Sequence, residues 1–240
     1  MSHVAAGWAT DRGPRPDNQD RCAAAPTWAV VSDGAGGHRG GGLAATLVVG
    51  AAAAVLTTAG AATARGGAER AVVVAVAAAH RAVAERQAAD PAVADMAATV
   101  TVALAEPGGD AWLVANVGDS PAWRIGPDRL DHLTEDHNAA AELVRVGAIT
   151  AAEARRHPGR HVVTQAAGGR ERPEPAVSRV VLRPGDRLVL ASDGVAVLPE
   201  EAIMVAVLAA PSPDAAARAV VDAALAAGTR DNVTVVVLAR

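Results

Sequence analysis

The 240 residues contain no lysine, no phenylalanine and no tyrosine, and only one cysteine. Without lysine a Walker-type phosphate loop is excluded, because its ammonium group must reach the terminal phosphates. All 22 Lys-or-Arg positions are therefore arginines. The lone Cys22 cannot form an internal disulfide, which agrees with a reducing cytoplasm. Nor can it open a cysteine-phosphatase loop, since Trp28 stands where the closing arginine would have to be. An excess of basic charge is missing too: the formal net charge is −4, so a general nucleic-acid footprint is absent. The opening MSHVAAGWATDRG has neither the basic start nor the apolar core of a secretory signal, and a cytoplasmic protein is expected.

What the chain does have is apolar content, 51% against 20% charged residues, enough for a sizeable core. One stretch, 40–64, carries no charge and is long enough to cross a bilayer. Its residues are mostly Ala, Gly and Thr, which are weakly apolar, so a buried helix over about 43–58 is the expectation. A second helix is expected over about 67–89, stopping before Asp90-Pro91. Strands are expected at 3–10, 27–33, 98–106, 111–119 and 121–125, then two around the RPGD turn within 178–194, and a last one at 233–239. TVTVAL and AWLVAN, joined by EPGGD, have the pattern of an antiparallel hairpin. A polar helical segment broken by Gly147 spans 138–157, and further helices fall at about 200–209 and 213–227. Hairpin-linked strands with helices in pairs point to an α+β fold of antiparallel sheets covered by helices. With no repeat and no low-complexity linker, residues 1–240 read as a single domain.

The pattern that carries chemistry is an acid at the end of strand after strand. WAVVSDG ends in Asp33, LVANVGDS in Asp119 and LVLASDG in Asp193. Asp231 opens the strand of GTRDNVTVVV, and Asp20 in PDNQDR precedes the strand at 27–33. One Asp-Gly after a strand is an ordinary turn. Several carboxylates gathered at neighbouring strand ends would repel one another unless a cation sat among them. Oxygen donors, without His or Cys at metal spacing, select Mg²⁺ or Mn²⁺ over Zn²⁺. Gly34 would let backbone approach such an ion, and Gly36-Gly37 would let the loop fold clear. A shared site also excludes the membrane span, which would put Asp20 and Asp33 on the side opposite Asp119, Asp193 and Asp231.

In order, RPDNQDR, VVSDGAGGH, ATVTVAL, LVANVGDS, LTEDHN, VVTQAAGG, LRPGDRLVLASDG and GTRDNVTVVVL resemble the bacterial PP2C-type (PPM) metal-dependent protein serine/threonine phosphatases, over about 10–238. The resemblance implies an α-β-β-α sandwich, two antiparallel β-sheets packed together and flanked by pairs of helices. It implies a binuclear Mn²⁺ or Mg²⁺ centre whose bridging water hydrolyses phosphoserine and phosphothreonine. By that similarity the catalytic aspartates are Asp33, Asp193 and Asp231. Asp33 would bridge the two ions, Gly34 would offer its carbonyl, and Asp193 and Asp231 would complete the first ion's shell. Asp20 would hold metal-bound waters, and Asp119 would belong to a third, weaker ion site. Arg15 matches the phosphate-binding arginine, whose planar fork suits a phosphate dianion. Residues 138–160 match a mobile flap. Its ARRHPGRH stretch reads equally as a contact for acidic or phosphorylated substrate segments and as a solvated basic loop. Asn116 and Asn232 would orient loops and aspartates. The implied partners are phosphorylated proteins and a cognate Ser/Thr kinase, with no nucleic acid, no membrane and a monomeric state.

The chain departs from that pattern in places. Gln19 stands where the family often has Glu, Pro121 follows Gly-Asp-Ser where arginine is usual, and Ala97-Ala98-Thr99 replaces Gly-Thr-Thr. Ala35 occupies the position of the histidine proposed as general acid in animal members, so the group that protonates the leaving oxygen is open. None of these changes removes a direct ligand. GDSPA (118–122) is a near miss to the G-x-S-x-G nucleophile elbow, but Ser120 is followed by Pro121 and strand-like AWRI, not by a helix. The alternative from another class is a catalytically silent domain of the same fold that binds phosphoproteins. Lost metal ligands would mark it, and here they are present.

Overall fold

The computed structural model describes residues 4–35, 37–60 and 67–240. Of the Gly36-Gly37 pair expected to let the loop fold clear, Gly36 lies outside the described residues, as do the last residues of the charge-free stretch, and Gly37 opens a helix instead of continuing a loop.

Two five-stranded sheets, antiparallel at every pairing, form the centre. One holds β1 (Ala5–Asp11), β12 (Val233–Ala239), β11 (Arg187–Ala191), β8 (Ala122–Gly126) and β9 (Arg129–His132), in that order. The other holds β10 (Ala176–Val181), β7 (Ala111–Val117), β6 (Val100–Ala105), β3 (Trp28–Ser32) and β2 (Arg21–Ala25). A short ladder joins β4 (Gly34–Ala35) to β5 (Ala97–Ala98). The TVTVAL/AWLVAN hairpin forms with Val100 opposite Val117 and Leu104 opposite Leu113.

Side chains alternate across each strand, and this sorts the core into three layers. Along β7, Leu113, Ala115 and Val117 pack with the helices α1 (Gly37–Gly60) and α2 (Gly67–Ala89), while Trp112 and Val114 point between the sheets. Along β12, Val233, Val235 and Val237 meet the helices α5 (Glu200–Ala209) and α6 (Pro213–Ala226), while Val236 and Leu238 point between the sheets. The α-β-β-α sandwich follows from this period of two, with both faces of each sheet buried.

Small side chains make the helix layers thin. Ala44, Ala45, Val48 and Ala52 of α1 share a core with Ala71, Val72, Ala75 and Ala79 of α2. The segment Gly40–Gly60 is long and apolar enough to cross a membrane by length and composition, but its stripe is covered by α2 and the second sheet. Two strands depart from expectation. Asp20 precedes β2, not the strand at 27–33, and β9 follows β8 after a turn. RCAAA and RLDH are short and poor in β-branched residues, so neither announces a strand.

Candidate metal centre

Antiparallel pairing decides where the acids go. β3 and β7 both pair with β6, so they run the same way and deliver Asp33 and Asp119 to one edge. β11 lies between β8 and β12, which puts Asp193, just past its end, beside the starts of both neighbours and hence beside Asp231. Asp11 pairs with Val233, so the loop after β1, with Arg15, leaves at this edge too. A cleft of about 1310 Å³ opens there, lined by Arg15, Asp33, Gly34, Asp119, Asp193 and Asp231 among others. Asp20 is not among its lining residues. It is buried, 2% exposed, and its Oδ2 accepts from Ser192 Oγ at 2.7 Å.

The electrostatics of this edge are unfavourable as they stand. Burial, reinforced by Asp20, Asp193, Asp231 and Asp119, holds the Asp33 carboxyl well above the usual carboxylate range. Burial pushes Asp20 up to about 6 against its hydrogen bonds to Ser192 and Thr234, with Asp193 and Asp231 adding repulsion. Asp119 is pushed up to about 7 by burial and by Asp193 and Asp136. Burial and Asp231 raise Asp193, opposed by a hydrogen bond with Asp33 and by the charges of His161 and Arg15. Two buried oxygens, Oδ1 of Asp20 and Oδ1 of Asp193, have no hydrogen-bond partner among the described residues.

Orphaned anionic oxygens beside mutually repelling carboxylates fit a hard divalent cation. Asp33, Asp193 and Asp231, with the Gly34 carbonyl, could hold such ions, and Asp119 another. Among the described residues no group of three or more Asp, Glu, His or Cys side chains forms a ready-made metal shell. Asp193 is hydrogen-bonded with Asp33, and Arg15 Nη2 donates to Asp231 Oδ2 at 2.7 Å.

Neighbouring residues set each acid in place. Asn232 donates through Nδ2 to the carbonyls of Arg12 and Asp17, and its Oδ1 accepts from Gln19 N–H at 2.8 Å, which pins the loop carrying Arg15. Thr99 Oγ1 accepts from Asp33 N–H at 2.9 Å and pairs with Ser120 Oγ at 2.7 Å. Asn116 Nδ2 donates to the Gly118 carbonyl, so both asparagines orient loops as expected. Sequence reasoning missed Ser32, Ser120 and Ser192, all fully buried beside an aspartate. The signal was present: a serine adjoins Asp33, Asp119 and Asp193. It also missed His161 and Asp136, which only the fold brings near Asp193 and Asp119.

The flap takes the form of α3 (Ala139–Arg145), a turn at Gly147 with φ +74°, and α4 (Ala151–Ala154), then a 3₁₀ turn, Pro158–His161. Arg160 and His161 reach the cleft lining.

The protein phosphatase 2C family model matches residues 15–227. The chain belongs to that family. This phosphatase 2C chain is 38% identical to the PPM Ser-Thr phosphatase MsPP of Mycobacterium smegmatis, whose crystal structure, in complex with cacodylate, it matches with a TM-score of 0.84 over 100% of this chain and 99% of that one. It is similar, at 30% identity and a TM-score of 0.85 over 99% and 98% of the two chains, to the catalytic domain of the serine/threonine phosphatase PstP in complex with two manganese ions. The PstP sequence from Mycobacterium tuberculosis is 32% identical over 160 residues, 67% of this chain and 30% of that protein. The chain spans about half or less of the length of the curated relatives it matches.

Proposed function

We propose that this phosphatase 2C chain hydrolyses phosphoserine and phosphothreonine in proteins at a centre of two Mn²⁺ or Mg²⁺ ions, with a weaker third place at Asp119. The observation that carries the reading is the cleft edge where Asp33, Asp119, Asp193 and Asp231 converge with raised or mutually repelling carboxyls and orphaned oxygens. Bound divalent cations would polarise phosphoryl oxygens and lower the pKa of an attacking water. Asp33, Gly34, Asp193 and Asp231 would hold the two ions, and Asp20 would steady their surroundings from behind, through Ser192. Arg15, now paired with Asp231, has a planar fork that would suit the substrate phosphate. The carboxylates are all retained, which argues against the silent binding domain.

Support for the activity comes from relatives named as serine/threonine phosphatases and from the manganese-bound PstP domain. In this reading residues 1–240 act as one catalytic domain with its flap at 138–160, working as a monomer in the cytoplasm on phosphoproteins made by a Ser/Thr kinase. The test follows p-nitrophenyl phosphate and a phosphothreonine peptide with Mn²⁺, Mg²⁺ or EDTA. Turnover of both substrates is expected with metal, none with EDTA, and a loss of roughly 100-fold or more in Asp193→Asn. Folded protein that binds Mn²⁺ yet turns over neither substrate would establish the silent domain instead.

A further inference from the structure

The two roots of the flap are tied together at and just after a single buried residue. His137, 9% exposed, immediately precedes the flap. Its carbonyl accepts from Thr164 N–H at 2.8 Å, on the returning strand of chain. Next to that bond, Asn138 and Val163 form an antiparallel bridge, and Ala139 N–H donates to the Val162 carbonyl at 2.9 Å. The other side of His137 grips the residue before Asp119. Its Nδ1 accepts from Gly118 N–H at 3.3 Å, and its own N–H donates to the Gly118 carbonyl at 2.9 Å. An Nδ1 acceptor implies the tautomer with its proton on Nε2.

The Asp119 loop has little slack with which to ignore that grip. Gly118 sits at φ +105°, and a Cβ there would come within 2.5 Å of Thr99 Cγ2. Thr99 in turn holds Ser120 Oγ on the far side of Asp119 and the Asp33 N–H. The Gly118 carbonyl takes a further bond, at 3.0 Å, from Asn116 Nδ2, which also donates to the Glu135 carbonyl at 2.9 Å. A shift of the flap roots therefore passes through His137 into the backbone that aims Asp119.

We infer that His137 is a positioning residue that couples the flap to Asp119, so that a phosphopeptide touching the flap and a divalent cation at Asp119 strengthen each other's binding. The coupling is reciprocal by thermodynamic necessity, and couplings of this kind run from about 5- to 150-fold. The inference rests on the phosphatase reading above. It adds a route by which substrate recognition sets cation demand.

The experiment compares the intact chain with His137→Leu, which keeps the bulk without the acceptor, and His137→Asn, which places an oxygen where Nδ1 was. Mn²⁺ titration calorimetry reads the cation affinity directly. The Mn²⁺ concentration for half-maximal turnover is read with a phosphothreonine peptide, which reaches the flap, and with p-nitrophenyl phosphate, which does not. If the peptide's added length carries it along the flap, the unaltered chain is expected to need about fivefold less Mn²⁺ with the peptide than with the small ester. His137→Leu is expected to lose that difference and to weaken its loosest Mn²⁺ phase about fivefold or more, while His137→Asn restores both. Equal Mn²⁺ demand for the two substrates in the unaltered chain, or a folded His137→Leu that matches it, overturns the coupling. So does equal impairment in Leu and Asn, which would make the ring a packing element. Absence of metal-dependent turnover in every form would instead sink the phosphatase reading, which separates the two failures.

Discussion

Arg15 is paired with one anion and is proposed to hold a second, the substrate phosphate. Its Nη2 sits 2.7 Å from Asp231 Oδ2 and its Nε donates to the Arg230 carbonyl at 2.8 Å, yet the ion pair is 53% and 38% exposed. Exposed pairs contribute about 0–1 kcal/mol, so little holds the guanidinium there once a phosphate competes. Arg15→Ala is expected to leave the melting midpoint within about 3 °C and to raise KM for a phosphothreonine peptide roughly tenfold. A thermal scan and a Michaelis curve on one preparation check both halves. A fall in midpoint with KM unmoved would make Arg15 structural. Neither the residue's identity nor its spacing to Gln19 distinguishes it from a solvated loop arginine; the role proposed for it rests on the family resemblance and on the closing of the 12–19 loop by Asn232.

At the scale of elements, Gly34, just after β3, answers a packing constraint that no local pattern states. A Cβ on Gly34 would lie 2.1 Å from the Gly41 carbonyl oxygen and 2.9 Å from that of Gln19, both backbone atoms that cannot step aside. Gly34→Ala is therefore expected to push the start of α1 off β4, destabilising the chain by about 2–3 kcal/mol and weakening Mn²⁺ binding. Urea unfolding and Mn²⁺ calorimetry test this; a stable variant with unaltered metal affinity would refute the close approach. The sequence suggested that Gly34 serves metal access, whereas the structure adds helix packing as a second reason. Long apolar runs such as TVTVALA and VTVVVLA were legible as strands because both of their faces are buried. β2 and β9 were not, because their pairing is decided by neighbours across the sheet and not by their own side chains.

For the whole molecule, the buried acids predict an unusual pH dependence when metal is stripped. Asp20 and Asp119 rise from 3.8 to about 6 and about 7 in the folded state, and Asp33 and Asp193 move the same way. The fold then binds more protons than the unfolded chain. The stability this contributes is full below pH 3.8 and is lost as pH rises through about 6 to 7. Half-buried His80 and buried His137, whose pKa values fall below 6.5, act in the opposite sense and soften the trend on its acid side. The melting midpoint of EDTA-treated protein is expected to drop between pH 5 and about 8, and added Mn²⁺ to reverse the slope, since cation and proton compete for the same oxygens. A flat metal-free profile would mean that the acids are less buried and less crowded than described. The sequence by itself determined the long apolar strands, the paired helices and the recurrence of an aspartate at the ends of three strands, because period-two apolar patterns and turn chemistry are local. Only the tertiary structure decided that those ends share one edge, that Asp20 sits behind the cleft wall, and that His137 bonds to the Gly118 backbone beside the root of the flap. Those placements depend on which strands pair and in which direction, and pairing is a property of residues far apart in the chain.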